Sequence, residues 1–118
     1  MDDIDYALSV AAALGQDGQV PTRLQPDMPP RAAAAYKAVN STARLLVVRF
    51  LLANPGAGRS QIVDGLGIAP TSVNGALKGL EELGYAVRTG TVRSTRWSID
   101  RDLLTRDLRE FVHWTLDS

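Results

Sequence analysis

Apolar residues recur at three- and four-residue intervals along most of this chain and switch to strict alternation in one stretch near the C-terminal end. Ile4, Ala7, Leu8, Ala11 and Leu14 predict a short amphipathic helix over residues 2–14, ending near Gly15. Residues 15–30, GQDGQVPTRLQPDMPP, have no apolar period and read as a loop or linker. Pro29 and Pro30 suit the first turn of a helix through RAAAAYKAV, whose alanines favour it. Asn40 and Ser41 supply a break and a cap for STARLLVVRFLLANPG, where Leu45, Val48, Leu51 and Leu52 are among the apolar positions. Gly58 is an acceptable N-cap for RSQIVDGLG, with Gln61 providing half of a capping box, Ile62, Val63 and Leu66 the apolar stripe, and Gly67 the stop.

Ala69 and Pro70 open the next helix, in which Val73, Ala76, Leu77, Leu80 and Leu83 share a face and Gly84 ends the run. YAVRTGTVRSTRWSID then alternates. Folded about Val92, it opposes Val87 with Trp97 and Tyr85 with Ile99, as a half-buried hairpin requires. In the remaining DRDLLTRDLREFVHWTLDS, Leu104, Leu108, Phe111, Val112 and Thr115 return to helical spacing. From residue 41 the order is helix, short helix, tight turn, second helix, hairpin, long helix. The expected fold is therefore mainly α with a small β-hairpin wing: a winged helix-turn-helix with extra N- and C-terminal helices. The chain divides into three regions: 1–30 as helix and Pro/Gly-rich linker, 31–99 as the winged domain, and 100–118 as a C-terminal dimerisation helix.

Composition narrows the chemistry. The 118 residues suffice for a single core, and the absence of cysteine excludes disulfides and thiolate sites. No apolar run approaches the roughly 20 residues of a membrane span, and MDDIDYALSV is acidic where a secretory signal is basic, so a cytoplasmic protein is expected. One histidine and no cysteine assemble no nucleophile–base–orienter triad, and PGAGRS is too short for a phosphate loop and lacks its lysine. No catalytic residue, cofactor or metal is expected, and the chain is not read as an enzyme. The net charge is zero, yet its distribution is uneven: residues 41–99 hold seven basic and three acidic side chains between acidic flanks. That segregation suits a nucleic-acid binder. The adjacent Glu81 and Glu82, at a helix end, read as solvated carboxylates.

A helix-turn-helix lays its second helix in the major groove, so that helix needs an apolar face for the core and a small polar face for base edges. At about 100° per residue, Val73, Leu77, Leu80 and Gly84 point one way and Thr71, Asn74, Gly75 and Lys78 the other. Asparagine pairs bidentately with adenine, threonine bonds or offers a methyl to thymine, and lysine reaches guanine or phosphate. Glycine in a helix interior costs roughly 1 kcal/mol relative to alanine. Gly75 repays that loss if a bare backbone lets the helix press against a duplex; Gly79 lies at the edge of the same face, near Ser72. Arg59 and Ser60 open the first helix, where free N–H groups and the helix dipole favour a phosphate. Arg88, Arg93 and Arg96 flank the hairpin turn and suit a wing that straddles phosphates or enters the minor groove. The expected DNA-contacting set is thus Arg59, Ser60, Thr71, Ser72, Asn74, Gly75, Lys78, Arg88, Arg93 and Arg96.

AAYKAVNSTARLLVVRFLL resembles the alanine-containing helix, Arg–Leu pair and aliphatic helix of arsenical-resistance-repressor (ArsR-like) regulators. QIVDGLGIAPTSVNGALKGLEELGYAV is similar to that family's helix-turn-helix, with Val73, Leu77, Leu80 and Gly84 at matching core positions, and VRTGTVRSTRWSI to its wing. The resemblance spans about residues 33–99, is shared in part with multiple-drug-resistance-type winged helices, and implies a dimeric DNA-binding transcription factor. The family commonly has Ser and His where this chain has Asn74 and Ala76, so the target sequence does not transfer. Its thiolate sensor sites are absent. A second family site draws carboxylates and histidines from the final helix; Glu110, His113 and Asp117 share a face here, but a lone histidine is thin ligation for zinc or nickel. An ordinary surface histidine is expected.

The final helix spreads Leu103, Leu104, Leu108, Phe111, Val112 and Trp114 over more than one face, more than one protomer buries. A two-fold interface of terminal helices is expected, formed by Leu8, Leu104, Leu108, Phe111 and Val112. The function expected is a sequence-specific, double-stranded-DNA-binding transcriptional regulator acting as a dimeric repressor. The alternative is a winged-helix protein-interaction module in a replication, recombination or anti-repressor complex.

Overall fold

The computed structural model describes residues 27–117. Internal contacts divide the chain into two units, Met1–Pro30 and Arg31–Ser118, and the helices and strands described lie in the second apart from Pro30, the first residue of the first helix. The helix expected over 2–14, with Leu8, and most of the loop expected over 15–30 lie outside the described residues.

The element order is α1 (Pro30–Val39), α2 (Thr42–Ala53), α3 (Arg59–Leu66), α4 (Pro70–Glu82), β1 (Ala86–Gly90), β2 (Thr95–Ile99) and α5 (Arg101–Asp117). It is the winged helix-turn-helix arrangement expected from the sequence. Local chemistry accounts for each boundary. Pro30 opens α1, and Ala32, Ala35 and Ala38 are fully buried along it, where methyl side chains permit close packing. Ser41 caps α2 by accepting from the Arg44 amide at 3.3 Å. The Arg44 side chain turns back to donate to the Lys37 carbonyl and to Asn40 Oδ1, both at 2.7 Å, satisfying groups at the end of α1. Gly58 begins α3 with its amide donating to Gln61 Oε1 at 2.8 Å, the half of a capping box that a glycine permits. Gly67 ends α3 at φ +66°, a left-handed conformation that admits glycine without strain. Ala69 and Pro70 then start α4.

The core joins α2, α3, α4, the hairpin and α5 through Val47, Leu51, Ile62, Val73, Leu77, Leu80, Tyr85, Trp97 and Leu104. Leu104, expected at a subunit interface, is only 4% exposed and belongs to this core. It follows Asp100, whose side chain accepts from the Leu103 amide at 3.0 Å and sets the angle at which α5 turns onto the body.

The hairpin register differs from the expectation by one residue. Arg88 pairs with Trp97, Val87 with Ser98 and Ala86 with Ile99. The reason is the loop. Folding about Val92 demands an odd number of loop residues, whereas the strands end at Gly90 and Thr95 and leave four. Thr91 organises that loop, its carbonyl accepting from the Ser94 amide at 3.1 Å and from Thr95 Oγ1 at 3.0 Å. A one-residue slip reverses every side chain. Val87 accordingly faces outward, 43% exposed, and Arg88 takes the place beside the buried Trp97.

A further edge was not legible in the sequence. The Trp97 amide donates to the Ala57 carbonyl at 2.9 Å, and the Gly56 amide donates to the Trp97 carbonyl at 2.8 Å. The residues just before α3 thereby extend the wing sheet. Among the described residues, no helix is long and apolar enough to cross a membrane.

Candidate nucleic-acid interface

Helix α4 presents two chemically distinct sides. Val73, Ala76, Leu77 and Leu80 are buried, while Thr71, Ser72, Asn74, Gly75 and Lys78 are exposed. A β-carbon at Gly75 would have no neighbour within 4 Å. The outward ridge is therefore slim, polar and uncovered by described parts of the chain. Gly79 is half-buried, as its expected place at the edge of this ridge implies, and a β-carbon there would make ordinary contact with Arg44 Cδ at 3.4 Å.

Two clefts share Arg59 and Trp97, and the smaller of them reaches the ridge. The larger, about 590 Å³, runs between the start of α3 and the wing, lined by Arg59, Ser60 and Gln61 on one side and Val92–Trp97 on the other. The smaller, about 210 Å³, joins Arg59 to Asn74, Lys78 and Glu81 of α4 and to Arg88 and Trp97 of the wing. The backbone bonds of Gly56 and Ala57 to Trp97 tie the wing to the segment just before α3. Ser98 Oγ reinforces them by accepting from the Gly56 amide at 3.1 Å.

The basic side chains around the clefts are not equivalent. Arg59, Lys78 and Arg93 are exposed, and none forms an ion pair among the described residues. Arg96 is exposed and makes one long hydrogen bond, 3.4 Å, to the Gly56 carbonyl. Arg88 is engaged twice. Its Nε lies 3.1 Å from Glu81 Oε2, and its guanidinium carbon stands 5.8 Å from the centre of the Trp97 ring. Glu82 is exposed, as a solvated carboxylate should be, but Glu81 is tied to the wing. Composition alone gave no sign of that pairing. The signal available was the spacing of Glu81 and Arg88 across the Gly84 turn, and it needed the correct strand register to be read.

Away from the ridge, Asp107 on α5 is 4% exposed and accepts from the Tyr85 hydroxyl at 2.8 Å. Arg106 Nε lies 3.1 Å and Arg31 Nη1 3.6 Å from its other oxygen. Burial, then the bond to Asp107, then the carboxylate charge push the Tyr85 phenol above its ordinary range. This cluster joins α1, the base of the wing and α5. On the outer side of α5, Val112 is 50% and Leu116 69% exposed, whereas Leu108 and Phe111, also expected at a subunit interface, are half-buried within the protomer, Leu108 against the core and Phe111 with its ring stacked 5.5 Å from that of Tyr36 on α1. His113 Nδ1 lies 2.9 Å from Asp117 Oδ2 on the exposed end of the helix, and among the described residues no three His, Asp or Glu side chains converge as metal ligands.

No protein-family model matches the chain, and no curated protein matches it in sequence. Among solved structures, the chain is similar to the YusO protein from Bacillus subtilis, with a TM-score of 0.52 and 15% identity over 98% of this chain and 79% of that one. At that identity the likeness concerns the fold.

Proposed function

We propose that this protein is a sequence-specific, double-stranded-DNA-binding transcriptional regulator of the ArsR-like kind, a cytoplasmic dimeric repressor that acts by occupying an operator rather than by catalysis. The observation that carries this reading is the ridge of Thr71, Asn74, Gly75 and Lys78, exposed on α4 and flanked by cationic side chains from α3 and the wing. In this reading α4 enters the major groove. Asn74 and Thr71 address base edges, and Lys78 reaches guanine or phosphate. Ser72 and Ser60 bond to phosphates, Arg59 adds charge at the α3 N-terminus, and Arg93 and Arg96 follow the backbone into the minor groove. The exposed apolar residues Val112 and Leu116, with the half-buried Leu108 and Phe111 beside them, make the two-fold contact that sets two α4 helices about one DNA turn apart.

Selection of bound duplexes from a random pool, followed by affinity measurement across a salt series, tests the reading. Affinity is expected to fall linearly on logarithmic axes with a slope that counts the phosphates neutralised. Asn74→Ala or Lys78→Ala is expected to weaken the selected duplex by about 1–3 kcal/mol without altering the melting temperature. Absence of salt-dependent duplex binding at micromolar protein sinks the proposal and leaves a protein-interaction module in its place.

A further inference from the structure

We propose that Arg88, pinned between Glu81 and Trp97, is a positioning residue that locks the wing to α4 and is not one of the phosphate contacts. This rests on the duplex-binding reading above and departs from it at one residue. The guanidinium is held from two directions, by a carboxylate on α4 at 3.1 Å and by the face of a buried indole on β2 at 5.8 Å. Trp97 is itself bonded through its backbone to Gly56 and Ala57 at the start of α3. A continuous line thus runs from α4 through Arg88 and Trp97 to α3, crossing the small cleft that separates them.

The alternative, in which Arg88 swings to a phosphate, fails on charge. Release of Arg88 leaves the Glu81 carboxylate bare in the cleft beside Lys78 and Asn74, where it repels the same polyanion. Kept as a pair, Glu81 and Arg88 add no net charge at the interface. Counterion release then comes from Arg59, Lys78, Arg93 and Arg96. What the pair supplies is geometry: the wing and α4 must reach adjacent grooves together, and a wing free to pivot loses that register.

The full chain is titrated with its selected duplex across a salt series, comparing the native protein with Glu81→Gln/Arg88→Gln, Glu81→Gln alone and Arg93→Ala. The double variant is expected to bind about tenfold more weakly at every salt concentration with an unchanged slope. Hydroxyl-radical protection by the wing fades while that by α4 persists, and the melting temperature falls only slightly, as loss of a partly exposed ion pair implies. Arg93→Ala is the yardstick and lowers the slope by about 0.9, the value of one phosphate contact. A drop of that size in the double variant overturns the proposal, as does unchanged affinity. Glu81→Gln, the milder change, is expected to keep the native slope; a slope steeper by about 0.9 identifies Arg88 as a phosphate contact restrained by Glu81 and also overturns it. If the native protein binds no duplex in a salt-dependent way, the functional reading itself has failed, and Arg93→Ala has no slope to lower.

Discussion

Helices α4 and α5 are the two longest in the described part of the molecule, 13 and 17 residues, and they use their outer faces in opposite ways. α4 buries four apolar side chains and turns hydroxyls, an amide, an amine and a bare backbone outward. α5 buries one leucine and a carboxylate, and turns Val112 and Leu116 outward. A polar ridge without side-chain bulk fits a rigid, hydrated, charged partner; an exposed apolar strip fits another protein surface. Fold and amphipathicity do not separate two such helices. The chemistry of the face left over after packing does.

The contrast breaks first at the inner faces. Leu80→Ala is expected to cost about 2–5 kcal/mol in denaturant unfolding, because the site is fully buried at the junction of α4 with α2 and the hairpin and cannot collapse. Val112→Asp, on the outer face of α5, is expected to leave the unfolding of a dilute protomer within about 0.5 kcal/mol of native while converting the proposed dimer to monomer in sedimentation. A variant that sediments as the native protein does removes the α5 strip from the proposed two-fold contact.

The next effect tests how α5 is held despite burying so little apolar surface. Tyr85→Phe removes one hydrogen bond to Asp107, whose two arginines remain, so a loss of about 1 kcal/mol is expected near neutral pH. The pH dependence is more diagnostic. The folded protein keeps the Tyr85 proton at a pH where the unfolded chain, with a phenol near 10, has given it up. The unfolded state then binds fewer protons, and stability falls as pH rises. The contribution is complete below about pH 10 and is lost above it, by up to about 1.4 kcal/mol per pH unit while only the unfolded tyrosine ionises. Tyr85→Phe lacks this component. Parallel denaturation curves at about pH 9 and about pH 11 check it; equal alkaline losses in both proteins discount the buried phenol.

Asp107 shows what was hidden from the sequence. Within DRDLLTRDLRE it is one of several acidic residues at helical spacing, and nothing local marks it as the one that meets Tyr85. Burial of a charge depends on partners far back along the chain, Tyr85 22 residues earlier and Arg31 earlier still. The hairpin register was hidden for a related reason. Its alternation was legible and its strands lie where expected, but register turns on the parity of a loop that several residues of TGTVRST could begin or end. By contrast, the boundaries of α2, α3 and α4 were legible because each depends on a residue's own backbone or side chain: Ser41, Gly58, Gly67 and Pro70. The ridge on α4 inherited that clarity, since a 3.6-residue period that fixes the buried face fixes the exposed one as well.

The finest test sets two glycines against each other. Gly65 and Gly75 are both exposed and both lie inside helices, so propensity alone predicts that alanine stabilises each by about 0.5–1 kcal/mol. Their surroundings differ. A β-carbon at Gly65 runs into the ring of Phe50 on α2, whereas at Gly75 it meets nothing. Gly65→Ala is therefore expected to lower stability by about 1 kcal/mol net, the displaced ring outweighing the helix gain. Gly75→Ala is expected to raise stability by about 0.5–1 kcal/mol and, if the ridge lies against a duplex, to weaken DNA binding at the same time. Stability and binding moving in opposite directions is the signature of a glycine kept for close approach, because a glycine merely tolerated on a solvated face yields a more stable protein with the same affinity. Paired melting and binding curves for Gly75→Ala separate the two, and Gly65→Ala supplies the case where packing decides the sign.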